Sequence, residues 1–367
     1  MNALDFHAGP KALAHLREHG LCAQDIAIVP AAAGGPKGLI LQALDAWLFG
    51  SWLPAAPRER TLIGASIGAW RMAAACHDDP AAAFRRLGDL YCEQRYPRKP
   101  SPALVTEYVA RMLADFIGGH EEEVVHHPQH RLHLLTIRGR RLLKAPESRL
   151  AAMAGFTLAT FDNLASRARL ARHMERVVFA DMRGTAQWLN ARFDAFDTHF
   201  VPLQTDNIGA ALLASGTLPL VMEAVRGISH APAGTYWDGG LIDYHLALPY
   251  SRAADDACGT SGNLVLYPHF VDHIVPGWLD KTLPWRRAGL GPDRAWLDNV
   301  LLVSPSQAFL QTLPRKKLPD RNDFPHYGLD HDARIRDWKR AIGEGARLRD
   351  EFADFVRQPD LGRVHPL

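Results

Sequence analysis

The chain has 367 residues, 47% of them apolar and 22% charged, with 42 basic against 40 acidic side chains and a net charge of +2. That balance, without any block of like charge, offers nucleic acid no electrostatic footprint and marks an ordinary globular protein. The polar start, MNALDFHAGPKALAHLREHG, has no apolar signal core, and no uncharged apolar run reaches the length of a membrane span. A soluble, cytoplasmic protein is the expectation. Four cysteines (Cys22, Cys76, Cys92, Cys258) lack C-x-x-C spacing, which fits neither a zinc site nor a dense disulfide framework and favours a reducing compartment.

In chain order, DIAIVP (25–30) is a short Ile/Val-rich run before an Ala/Gly-rich turn, and predicts a buried strand. LILQALDAWLFG (39–50) is apolar around most of its circumference and ends at glycine, as a buried helix would. TLIGA (61–65) predicts a second strand, and SIGAWRMAAACH a second helix. Strand, turn, helix, strand, turn, helix is a βαβα unit, whose strands should be parallel and covered by helices.

Residues 80–130 read as helical. RLHLLTIRG (131–139) and ERVVFADM (175–182) read as strands flanking a helical insertion, and the two insertions, at about 80–130 and 141–175, are expected to shape a pocket. DTHFVPL (197–203), GTYWDGGL (234–241) and NLVLYPH (263–269) are further strands, with a helix through NIGAALLAS. From 331 to 356, Ile335, Trp338, Ile342, Leu348, Phe352 and Phe355 form the apolar stripe of one closing helix. No Pro/Ser-rich linker divides the chain. One domain over 1–367 is predicted, with a core at about 25–270 and an extension at 271–367 packed on it.

Three motifs carry chemistry. Gly64-Ala65-Ser66-Ile67-Gly68 is a G-x-S-x-G at a strand-to-helix junction, where a serine nucleophile sits on a tight turn and Gly64 and Gly68 leave room for neighbouring backbone. Gly34-Gly35-Pro36-Lys37-Gly38 opens the preceding helix. It is not a phosphate-binding P-loop, because Pro precedes Lys37 and Gly follows it. Read as an oxyanion hole, it offers the amides of Gly34, Gly35 and Lys37, since Pro36 has no N–H. Trp237-Asp238-Gly239-Gly240 places a carboxylate at a strand end, with Gly239 and Gly240 making the turn.

In this order the motifs resemble the patatin-like phospholipase family: a Gly-rich oxyanion loop, a G-x-S-x-G about one βα unit later, then Asp-Gly-Gly. Ala214-Ser215-Gly216-Thr217-Leu218-Pro219 resembles the family's A-S-x-A-x-P segment. The likeness covers roughly 25–249. Ala33 stands where the family's first loop glycine usually is, and Thr217 replaces the usual Ala. The resemblance implies a three-layer α/β/α fold with a mostly parallel sheet and helical insertions. It implies a lipid acyl hydrolase of the phospholipase A or esterase type, with Ser66 as nucleophile, Asp238 as general base, and no metal or cofactor.

A Ser-Asp-His triad is the rival arrangement, with His269 or His273 as base. Acyl transfer to an acceptor other than water would use the same pair, and a non-catalytic lipid-binding module of the same fold is the alternative of a different class. The partner implied is a lipid or ester substrate. A Trp/Arg-rich stretch (Val275, Trp278, Leu279, Leu283, Trp285, Arg286, Arg287, Leu290) suggests peripheral membrane contact.

Overall fold

The computed structural model describes residues 2–184, 186–255, 262–291 and 293–367; Cys258 lies outside them. Among the described residues ten strands form one sheet: β1 Leu4–Ala8, β2 Ile26–Ala31, β3 Arg60–Ala65, β4 His130–Gly139, β5 Met174–Ala180, β6 Thr198–Pro202, β7 Tyr236–Asp238, β8 Leu264–Pro268, β9 Val300–Pro305 and β10 Val364–Pro366. The order is β10-β1-β9-β8-β2-β3-β4-β5-β6, with β7 also on β4. β9, β8, β2, β3 and β4 run parallel to their neighbours, while β1 on β9 and β5 on β4 are antiparallel. This is an α/β architecture with a mostly parallel, mixed sheet, compatible with three layers. No helix among the described residues is long and apolar enough to cross a membrane.

The central strands are apolar on both faces because helices cover both. β2 and β3 each leave only one residue less than fully buried, and β8 and β9 none. The predicted βαβ unit is present, with β2 and β3 in parallel register from Ile28↔Thr61 to Ala31↔Gly64. Helix starts are set locally. Asp79, Ser101 and Ser148 accept hydrogen bonds from the N–H groups of Ala82, Leu104 and Ala151 and so begin the helices Pro80–Cys92, Pro102–Ile117 and Arg149–Ala165.

β4 positions the rest. One of its edges carries β5 over His133–Gly139. The other carries β3 over His130–Leu135, then β7 over Thr136–Arg138. Ala65 therefore lies opposite Leu135 and Asp238 opposite Thr136. The end of β3 and the end of β7 meet at adjacent residues of one template strand.

Several expectations change. The segment 39–50 is not one helix: a 3-10 turn over Gly35–Leu41 leads into an α-helix over Gln42–Trp47 and a wider π-helical turn over Leu48–Trp52. The extension 271–367 does more than pack on a core, since it supplies β9 and β10. The polar N-terminus forms β1, between β9 and β10, and the helix Pro10–His19. The closing apolar stripe is real, but it spans two helices, His331–Glu344 and Ala346–Arg357. Gly345 sits at the break because a Cβ there would lie 2.4 Å from the Ile40 carbonyl oxygen. Gly345→Ala should therefore cost about 1–3 kcal/mol of stability in a denaturant titration. Gly343→Ala, with nothing within 4 Å of its Cβ position, should be neutral or stabilising by up to about 1 kcal/mol.

Candidate active site

Ser66 joins β3 to the buried helix Ile67–Ala74 with φ 57° and ψ −129°, a conformation that L-residues seldom hold. Surrounding backbone enforces it. A Cβ on Gly68 would lie 1.9 Å from the Ala31 carbonyl oxygen, and one on Gly64 would lie 2.5 Å from the Gly68 carbonyl carbon. Both glycines of the G-x-S-x-G are thus required by the close approach of β2 and the turn itself.

Asp238 ends β7. Its Oδ2 accepts the Ser66 hydroxyl at 2.7 Å, and its Oδ1 accepts the Gly240 N–H at 2.7 Å. Both side chains are buried. Burial pushes the Asp238 carboxyl above its ordinary range, against the pull of Arg321, the Ser66 hydroxyl, the Gly240 amide and Lys281. The glycines after it are again steric requirements: a Cβ on Gly239 would meet the Leu135 carbonyl at 2.2 Å, and one on Gly240 the Ala33 methyl at 2.7 Å.

The segment Ala214–Pro219 holds this pair from behind. The Ser215 hydroxyl accepts the Ser66 N–H at 2.9 Å and donates to the Leu135 carbonyl at 2.7 Å, while the Thr217 carbonyl accepts the Asp238 N–H at 2.9 Å. Sequence reading noted this segment but gave Ser215 no role. The available signal was its place in the Ala214–Pro219 segment ahead of the Asp-Gly-Gly strand.

The loop after β2 lies beside the pair. Gly34 and Lys37 line the same cleft as Ser66 and Asp238; Gly35 does not line it. Gly35 has φ +58°, which glycine accommodates, and its Cα faces the Arg321 guanidinium. A Cβ on Gly34 would overlap the Phe270 ring at 2.4 Å. Ala33 has no positive φ, and its N–H donates to the Tyr244 carbonyl at 2.8 Å, so no glycine is needed there.

Two cavities meet at Ser66. One, of about 240 Å³, has a mixed lining and is bordered by Lys37, Lys281 and Arg321. The other, of about 650 Å³, is largely apolar and lined by Ile67, Trp70, Tyr91, Val105, Val109 and Met222, among others. Its size suits a small organic ligand. The 80–130 insertion supplies part of its wall, but none of 141–175 does, so only one of the two insertions shapes the pocket.

Neither histidine of the rival triad is in place. The buried His269 is bonded through Nδ1 to the Val271 carbonyl at 2.7 Å, with its pKa pushed down to about 3 mainly by burial. His273 pairs with Asp272, and neither histidine borders the cleft. Among the described residues the one group of metal-type donors is His77, His120 and Glu123, which lines neither cavity. Chemically, a buried hydroxyl held 2.7 Å from a carboxylate of raised proton affinity can pass its proton to that carboxylate as the oxygen attacks an electrophile.

No protein-family model matches the chain, and no curated protein is significantly similar to it. Ser215→Ala should leave the buried Ser66 N–H and Leu135 carbonyl unpaired. The expected loss is about 1–3 kcal/mol in denaturant stability, accompanied by slower labelling of Ser66 by a fluorophosphonate.

Proposed function

We propose that the protein is a serine acyl hydrolase of the patatin-like type, acting on carboxylic esters of lipids. The observation that carries this reading is the 2.7 Å hydrogen bond from the Ser66 hydroxyl to Asp238, made on a strained turn and shielded from bulk water. In this reaction Asp238 takes the Ser66 proton as Oγ attacks the ester carbonyl, and the loop amides beside Gly34 stabilise the oxyanion. Protonated Asp238 then returns the proton to the departing alcohol, and water cleaves the acyl-enzyme by the same steps. The acyl chain lies in the apolar cavity next to Ser66. Burial of Asp238 serves this role, because a carboxylate of ordinary proton affinity is a weak base near neutrality.

The reading includes contact with a lipid surface, supported by the Arg149–Ala165 helix. Its fully buried positions are Gly155, Ala159 and Asn163, with Phe156 half-buried against Trp237, whereas Leu150, Met153, Leu158, Phe161 and Leu164 are exposed on its outer side. That leaves more large apolar side chains on the solvent side than a surface helix usually carries. Exposed basic residues bracket it: Arg141, Lys144, Arg149, Arg169 and Arg172, none in an ion pair within 4.0 Å among the described residues. Trp285, 68% exposed, is beside it, because the neighbouring Arg286 bonds the Leu164 carbonyl. Apolar residues ringed by unpaired cations suit a bilayer containing anionic lipid. Of the Trp/Arg-rich stretch, only Trp285, Arg287 and Leu290 remain free for such contact; Arg286 is bound to the buried Asp280, and Trp278 borders both cavities.

Ser66→Ala should abolish ester hydrolysis and Asp238→Asn should reduce it by roughly 1,000-fold or more, while His273→Ala stays within about threefold of wild type. Full activity in either of the first two variants would sink the proposal. Because Asp238 must be ionised to act, activity should be lost as pH falls through its raised pKa, with the acid limb of kcat/KM above the roughly 3.9 of a free aspartate. In flotation with vesicles containing phosphatidylserine, the Phe161→Asp/Trp285→Ala double variant should lose most of its binding. Unchanged binding, or a dimer in wild type that this variant dissolves, would remove the lipid-surface assignment.

A further inference from the structure

The cleft beside Ser66 carries more positive charge than the proposed acyl chemistry uses. Lys37 reaches it from the loop after β2, Lys281 from the end of the Trp278–Asp280 turn, and Arg321 from the segment before the helix Asp323–Tyr327. Three unconnected parts of the chain thus point cations at one space. Two carboxylates also border it. Asp320 is held by Lys317 at 3.0 Å, and Asp238 is committed to Ser66 and Gly240. None of the three cations forms an ion pair within 4.0 Å among the described residues.

Like charges gathered without partners repel, and the folded chain holds them there through other contacts. Lys281 lies over the Tyr244 ring at 3.9 Å and near the Trp278 ring at 5.2 Å. Lys37 lies near the Phe270 ring at 5.7 Å, and Arg321 near the Trp278 ring at 5.9 Å. Aromatic faces keep the cations at the cleft without neutralising them. Lys281 is exposed as a residue, but its ammonium packs on the Tyr244 ring and faces Lys37 and Arg321; this local crowding pushes its pKa down, and an anion between the three cations would reverse that shift.

The second cavity fixes which part of a substrate meets this charge. It shares Ser66, Leu218, Trp278 and Arg321 with the cationic cleft, yet its wall is mainly apolar. An ester laid across Ser66 has its acyl arm on the apolar side and its alcohol arm among the cations. We propose that Lys37, Lys281 and Arg321 form a subsite for an anionic group, phosphate or carboxylate, carried on the alcohol side of a single-chain acyl ester. The inference rests on the Ser66–Asp238 reading and adds the charge of the leaving group to it.

The test uses the full chain and three monoacylglycerol esters with one acyl chain in common: the 3-phosphate, the 3-phosphocholine and the neutral monoacylglycerol. The 3-phosphate should give the highest kcat/KM, at least about tenfold above the neutral ester, chiefly through KM. In Lys281→Gln and Arg321→Gln that ratio should fall by about tenfold, and Arg321→Lys should restore part of it. Equal kcat/KM for the three esters, or a ratio unmoved by the variants, overturns the subsite while leaving the hydrolase reading intact. If no ester turns over and fluorophosphonate does not label Ser66, the hydrolase reading fails instead. Calorimetry with inorganic phosphate then tests the charge cluster alone: binding lost in the Lys281→Gln/Arg321→Gln double variant keeps an anion site, and no binding removes it. Phosphate binding without a charge preference among the esters would overturn the leaving-group assignment in favour of a free anion.

Discussion

The site depends on one edge of one strand. β4 pairs with β3 as far as Leu135 and with β7 from Thr136 onward, on the same side. Ala65 and Asp238 are thereby delivered to adjacent rungs of a ladder, and Ser66, the next residue after Ala65 and 172 positions from Asp238, closes on it to 2.7 Å. The Leu135 carbonyl, at the seam, is bonded by the Ser215 hydroxyl, which also holds the Ser66 amide. Backbone pairing of this kind is stiff, so the Ser66–Asp238 geometry is inherited from the sheet rather than from mobile loops.

The same seam explains why so many glycines gather there. Chain segments approach closely enough that Gly64, Gly68 and Gly239 have carbonyl groups where a Cβ would stand, and Gly240 has the Ala33 methyl. Ser66 pays for the crowding with a strained φ of 57°, and the buried helix behind it keeps that strain from relaxing. Burial then acts on charge, raising the proton affinity of Asp238. A cavity bordered by cations and a larger apolar one both open on the hydroxyl. Such a division suits an amphiphile held across its ester bond.

Much of the middle of the fold was legible. Short Ile/Val-rich runs bounded by Gly-rich turns identify β2 and β3, because strands buried on both faces must be apolar throughout. Three strands were not legible. β10 is three residues long and largely exposed, with no pattern to read, whereas β1 (LDFHA) does alternate apolar and polar residues but over only five positions in an otherwise polar terminus. β9 is a fully buried run (VLLVSP) that periodicity alone does not separate from a helical segment. The break at Gly345 was hidden because an apolar stripe continues across it, and the reason for the break, the Ile40 carbonyl, is some 300 residues away in sequence.

Sequence alone determined the candidate pair and its turns, because backbone crowding restricts Gly64, Gly68, Gly239 and Gly240 to a residue type that can be read directly. It also determined that Pro36 has no amide to offer. Only the tertiary structure decided that Ser66 and Asp238 touch, that Gly34 and Lys37 border the cleft beside them, and that His269 is sealed in the core. It also decided that Lys281 and Arg321, which belong to no motif, border the same cavity as that hydroxyl. Local spacing encodes turns, whereas proximity between distant segments is set by strand pairing, and a lone lysine or arginine carries no sign of which cavity it will border.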